Sequence, residues 1–346
     1  MDLQIALLLG QDGIVNGAIY ALLALALVLV FAVTRVIFIP QGEFVAFGAL
    51  TLASIQAGRT PGTLWLLIGL SVAVAAVEAV VAARNGLLRR FAGAMVWNLV
   101  YPAVLAVVLV ATNPQSWPLA LQVVLALALV VPLGPAIYRL AYQPLASASV
   151  LVLLIVSVAV HLTLVGLGLV FFGAEGSRTT AFSDASFDWG GIAVNGQSLW
   201  VVGTTIALMI GLYLFFGRSL WGKALRATAI NRVGARLMGI STTLAGKISF
   251  LVAAAIGALS GIMIAPITTI YYDTGFIIGL KGFVAAIVGG LTSYPLAAGG
   301  AILVGLLESF SSFWASAFKE VIVFTLIIPV LIWRSLASHQ VEEEEE

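Results

Sequence analysis

The chain has 346 residues, of which 62% are hydrophobic and only 9% charged, and its net charge is +1. Soluble domains carry roughly a quarter charged residues, so this chain has too little polar surface to coat a globule of its size, and a soluble enzyme is excluded. With no Cys and only His161 and His339, there is no basis for a disulfide framework, a thiolate centre or a His-based metal site, and neither metal nor cofactor is expected.

The apolar runs are near 20 residues, rich in Ala and Leu, with no period of two. That is the pattern of membrane-crossing helices rather than of an outer-membrane barrel. The N-terminal stretch lacks a basic region and passes directly into further spans, so no cleavable signal is expected. In chain order the runs are 13–33, 36–55, 64–83, 94–112, 119–137, 149–172, 199–216, 248–268, 276–290, 296–314 and 321–333. Pro40, Gln41, Gly42 and Glu43 interrupt the second, and the ninth is short. Both are expected to be broken or re-entrant. The fold class predicted is all-α: one polytopic transmembrane helical bundle with about 10–11 spans.

Lys and Arg set the orientation. Residues 218–247 hold Arg218, Lys223, Arg226, Arg232, Arg236 and Lys247 with no acid, and 84–90 hold three arginines. Residues 173–197 carry Glu175, Asp184 and Asp188 against Arg178 alone. The basic loops are therefore placed in the cytoplasm and the acidic loop outside, which puts the N-terminus outside. The acidic tail, residues 336–346, falls inside and reads as a solvated end.

The basic loop is ~30 residues, longer than orientation requires. Ala224, Leu225 and Ala227 to Ile230 favour one short helix. Val233, Ala235, Leu237 and Met238 favour a second, stopped by Gly239. Such helices either lie on lipid headgroups or form a docking surface for a cytosolic partner, and the second reading is preferred. Its residues Gly222, Lys223, Arg226, Ala227, Ala235, Arg236, Leu237, Met238, Gly239 and Ile240 resemble the cytoplasmic coupling loop of high-affinity branched-chain amino acid ABC transporter permeases. Further stretches agree in order: Asn16 to Leu22, Gln41-Gly42-Glu43-Phe44, Tyr142-Gln143-Pro144-Leu145, Gly279 to Ala286, Gly289-Gly290-Leu291 and Gly305-Leu306-Leu307-Glu308. The resemblance covers roughly residues 10–58 and 136–335.

It implies a permease subunit without catalysis of its own, in the inner (plasma) membrane of a bacterium. The chain has no G-x-x-x-x-G-K-[ST] phosphate cradle, so ATP must be hydrolysed elsewhere. Implied partners are cytosolic ATP-binding subunits on a surface that includes Arg226, Arg232 and Arg236, a second permease subunit, and an extracytoplasmic solute-binding protein. The acidic outer loop is a candidate contact for that last partner. Membrane lipid surrounds the chain, and no nucleic acid is expected. Branched-chain amino acids or a related small polar or carboxylate solute are the implied cargo. Two departures stand out: Gln41 replaces a usual His, and the 59–135 region holds two more spans than the family has, read as an added helical hairpin facing lipid.

Ionisable groups in lipid are costly. Glu43, Glu78, His161, Asp273, Lys281 and Glu308 lie in or beside apolar segments. Gln41, Gly42, Glu43, Lys281 and Glu308 are the translocation-path candidates. Lys281 and Glu308 are expected to compensate each other, Glu78 to snorkel or be self-contained, and His161 to be a satisfied core residue. The 35 glycines are read mainly as close-packing positions, with Gly289–Gly290 a hinge or turn. A competing function is an ion-coupled secondary transporter built on Glu43 and Glu308, which would want an inverted repeat. An intramembrane enzyme lacks the nucleophile–base or metal set it would need.

Overall fold

A long first helix, α1 (Leu3–Thr34), runs through the middle of the bundle. From Gly13 to Thr34 it carries no charged residue and is apolar all round, which leaves it no face to turn to water. Its residues are accordingly buried nearly continuously from Ala18 to Val30. The computed structural model describes residues 3–84, 88–189, 192–291, 293–333 and 335–336.

After α1 the chain is extended and then turns before α2 (Gln41–Gln56). The helical pair α3 (Gly62–Arg84) and α4 (Leu88–Ala111) follows. Next come α5 (Leu119–Val130) and α6 (Leu133–Ile137), prolonged by a wider π-type turn through Tyr142. Then α7 (Val150–Phe172) leads to a small antiparallel hairpin of β1 (Ser186–Trp189) and β2 (Ile192–Asn195). The second half contains α8 (Gly196–Arg218), α9 (Leu220–Ile230), α10 (Arg232–Leu237), α11 (Thr242–Ile264), α12 (Thr274–Val288), α13 (Tyr294–Trp314) and α14 (Lys319–Thr325).

Among the described residues, eight helical segments are long and apolar enough to cross a membrane, the last running from Ser316 to Trp333. Together with α2, α4 and α12 they account for the eleven predicted segments. As expected, the second and ninth are the incomplete ones. At 1.5 Å per residue, α2 and α12 are ~24 and ~22 Å long, short of a ~30 Å hydrocarbon core.

Glycine decides where helices approach most closely. A Cβ on Gly305 of α13 would lie 2.3 Å from the Gly13 carbonyl oxygen and 2.4 Å from the Gly17 nitrogen of α1. On Gly261 of α11 it would lie 1.9 Å from the Val45 carbonyl oxygen of α2. Backbones this close exclude any side chain, which is how membrane helices gain packing without a hydrophobic drive between them. Gly289 ends α12, and Gly290 and Leu291 then adopt φ of 66° and 58°, so the pair forms a left-handed turn.

Several expectations are revised. The first helix begins ten residues earlier than predicted, because Gln11 and Asp12 sit within it rather than ending it. The outer loop contains a β-hairpin that was not anticipated. The pair α3–α4, in the region expected to hold extra helices, is peripheral, with Trp65, Val72, Val80, Val104, Val107 and Val110 exposed. It is also anchored: the Tyr101 hydroxyl donates to the Ala128 carbonyl at 2.7 Å, and Thr51 and Thr63 share a 2.8 Å hydrogen bond. Glu78 is neither snorkelling nor self-contained, since it faces Arg139 and Lys247. The Glu342–Glu346 run lies outside the described residues, as do residues 85–87 of the basic 84–90 loop.

Candidate translocation and coupling sites

The Gln41–Glu43 segment becomes a buried polar centre because the chain is extended before it and helical after it. Gln41 donates from Nε2 to the Ala253 carbonyl at 2.9 Å, tying the start of α2 to α11. Gly42 lies flush against α12, where a Cβ would fall 2.0 Å from the Gly275 carbonyl oxygen. Glu43, 1% exposed, meets His161 of α7 with Oε1 2.7 Å from Nδ1. The imidazole stacks on Phe276 of α12 with ring centroids 4.3 Å apart. His161 is thus a satisfied core residue, as expected, but its partner is one of the path candidates. Glu43 Oε2 and Gln41 Oε1 are buried with no hydrogen-bond partner among the described residues.

A second centre forms where α12, α13 and α14 meet α1. The Lys281 ammonium donates to Glu308 Oε1 at 2.6 Å and to Glu320 Oε1 at 3.1 Å. The Tyr20 hydroxyl donates to Glu308 Oε2, and Lys281 Nζ lies 5.8 Å from the Tyr20 ring centroid. The expected Lys281–Glu308 pair is therefore present and belongs to a four-residue network. Both Glu308 oxygens are engaged, which is what a buried carboxylate requires. Glu320 escaped the sequence reading, and Tyr20, noted there only within the Asn16–Leu22 stretch, could not be tied to Glu308 because they are 288 residues apart.

These two centres remain separate, with α12 touching both. Its Gly275 and Gly279 lie against Gly42, while its Lys281 engages Glu308. Glu308 also lines a polar cavity of about 870 Å³ with Asp12, Asn16, Asp184, Gln197 and Lys319. Asp12 belonged to no distinguishing motif and Asn16 only opened the Asn16–Leu22 stretch; the cavity is what sets both beside Glu308. Asp273, by contrast, is exposed at the α12 N-cap.

The basic loop folds as α9 and α10, the two short helices expected. Ser219 Oγ accepts from the Gly222 N–H at 2.9 Å, and Asn231 Oδ1 accepts from the Gly234 N–H at 2.8 Å, so each helix starts at a side-chain cap. Gly239 at φ 81° ends the pair. Gly222 is pressed onto α8, where a Cβ would lie 2.1 Å from the Phe215 carbonyl oxygen. Leu225 packs into a buried cluster with Leu29 and Val33 of α1 and Ala245 of α11. Lys223, Arg226, Arg236, Leu237 and Gly239 are exposed, whereas Ala227 is half-buried. Arg232 is half-buried and donates to the Ala146 carbonyl at 3.3 Å, so its charge is turned partly inward. What charge counting missed is apolar: Ile230, Leu237 and Met238 are 86%, 83% and 83% exposed.

A bundle of this kind, with polar centres between its helices and a rigid helical loop at one end, defines a multi-pass membrane transport protein. The chain belongs to the family of branched-chain amino acid transport system permease components, whose model matches residues 91–331. It is 29% identical over 244 residues to the high-affinity branched-chain amino acid transport system permease protein BraD of Pseudomonas aeruginosa, covering 68% of this chain and 80% of that one. It is 31% identical over 214 residues to the LivH permease of Escherichia coli K12, covering 58% and 67%. Against a LivH permease of Methanocaldococcus jannaschii the identity is 31% over 201 residues, covering 56% and 64%. The family match starts within α4 and so leaves α1, α2 and α3 outside it.

Proposed function

We propose that this permease is the membrane subunit of an ATP-driven importer for branched-chain amino acids or a related small polar or carboxylate solute. It works in the inner (plasma) membrane with cytosolic ATP-binding subunits, a second permease subunit and an extracytoplasmic solute-binding protein. The observation that carries the reading is the α9–α10 pair: capped, rigidly seated, and presenting Lys223, Arg226 and Arg236 beside exposed Ile230, Leu237 and Met238. Solvent-facing apolar side chains set among cations mark a surface meant to be covered, and an acidic groove on a cytosolic protein matches it.

The seating of α9 supplies the mechanism. Movement imposed on α9 passes to α8 through Gly222 and Phe215, and to α1 and α11 through Leu225. Closure of two ATPases around nucleotide then alternates the bundle between outward- and inward-open forms. On this account the 870 Å³ cavity at Glu308 is the outward vestibule, and Gln41, Gly42, Glu43, Lys281 and Glu308 border the path. Glu308 and Lys281 act first as a clamp between helices, because each already holds protein partners.

The test is co-purification of the detergent-solubilised permease with its ATPase. Wild type retains the ATPase, and Arg226→Glu with Arg236→Glu releases it while remaining monodisperse. Equal retention by both proteins overturns the coupling-surface assignment.

A further inference from the structure

The added helices enclose something the family reading does not use. Helices α3 and α4, together with α5, α6 and α11, surround a cavity of about 600 Å³. Most of its wall is apolar, and three charged side chains converge in it. Glu78 Oε1 lies 3.5 Å from Arg139 Nε and 3.8 Å from Lys247 Nζ. These are charge contacts rather than hydrogen bonds, so the single carboxylate does not use up the donors of the two cations. The cavity carries one net positive charge. Its wall residues Val124 and Leu251 are 61% and 42% exposed, and the neighbouring face of α3 exposes Val72, Val77 and Val81. The cavity therefore opens sideways along an apolar flank of the bundle.

We propose that this cavity is a binding site for an anionic phospholipid, its phosphate on Arg139 and Lys247 and an acyl chain along the apolar wall. Position and charge agree. Glu78 lies in the last turns of α3, next to the basic 84–90 stretch, and Lys247 lies in the second turn of α11, just after the basic loop. Both stretches belong to the leaflet that the positive-inside rule assigns to the cytoplasm, where basic clefts between helices attract anionic headgroups. A zwitterionic lipid gains no net attraction from a single excess positive charge. A soluble anion leaves the apolar wall uncovered. Within the site Glu78 competes with the lipid phosphate for the same two cations, which gives it a role opposite in sign to theirs.

The experiment is native mass spectrometry of the detergent-purified protein titrated with phosphatidylglycerol or phosphatidylcholine, with thermal stability followed in parallel. Wild type binds one phosphatidylglycerol in preference to phosphatidylcholine. Arg139→Gln with Lys247→Gln loses that preference, at about five-fold for each cation removed. Glu78→Gln strengthens it, a change that general destabilisation does not produce. Arg226→Gln with Arg236→Gln, cations outside the cavity, leaves it unchanged. If the first double variant does not fold, Lys247→Gln alone decides, since its side chain is partly exposed. The proposal is overturned if Lys247→Gln retains the full preference, if Glu78→Gln weakens binding, or if inorganic phosphate alone displaces the lipid completely and so identifies a soluble-anion site.

Discussion

Replacing Lys281 by Met removes the cation that faces Glu308 and Glu320. At 2.6 Å and an effective dielectric near 20, the Lys281–Glu308 attraction is about 6 kcal/mol gross, much of it offset by desolvation. What the single substitution exposes is the uncompensated carboxylate that remains, and stranding a buried partner typically costs about 3–5 kcal/mol. For a chain of this size that corresponds to a fall in Tm of roughly 4–7 °C. The double variant Lys281→Met with Glu308→Gln removes the pair together, and the amide carbonyl that replaces the carboxylate still accepts from Tyr20. It should lie within ~3 °C of wild type, a coupling larger than ~1.5 kcal/mol. The assay is the fraction of detergent-solubilised protein still monodisperse after heating. A single variant as stable as wild type, or losses that simply add in the double, would refute the clamp.

Three further outcomes follow from close contacts. Gly42→Ala forces a Cβ to 2.0 Å from the Gly275 carbonyl and should cost about 1–3 kcal/mol or more, whereas Gly69→Ala, with nothing within 4 Å, should be neutral or stabilising; parallel melting curves distinguish them. Glu43→Leu with His161→Phe should be better tolerated than His161→Ala alone, because the latter strands a buried carboxylate; expression and melting of the pair check this. Gly290→Ala, at φ 66°, should cost ~1–2 kcal/mol, and a melting temperature equal to that of wild type would contradict the strain argument.

The sequence made the bundle legible because periodicity and breakers are local signals. Pro40 and the short apolar run after Asp273 marked α2 and α12 as incomplete spans, and that is how they fold. An Ala-rich run and a second apolar run stopped by Gly239 similarly located α9 and α10. The Lys281–Glu308 pair could be anticipated because two opposite charges in neighbouring apolar segments have few other ways to be neutralised. Distance in the chain concealed the rest. Glu43 and His161 are 118 residues apart, and Tyr20 and Glu308 are 288 apart. Nothing local to Glu78 told of Arg139 and Lys247, which reach it only because α3 packs beside α6 and its π-type extension, while α11 packs on α6 in turn. Exposure was also invisible: Arg232 has the same charge as Arg226 and Arg236, yet it is turned toward Ala146.

The most direct measurement of the transport account is uptake of radiolabelled leucine into proteoliposomes. These would contain the permease with its ATPase and enclosed ATP, with the solute-binding protein outside. The account predicts uptake that requires ATP and binding protein, and that is abolished by Arg226→Glu with Arg236→Glu. Uptake by the permease alone, driven by a proton or sodium gradient and indifferent to ATP, would contradict it and move the mechanism to Glu43 and Glu308.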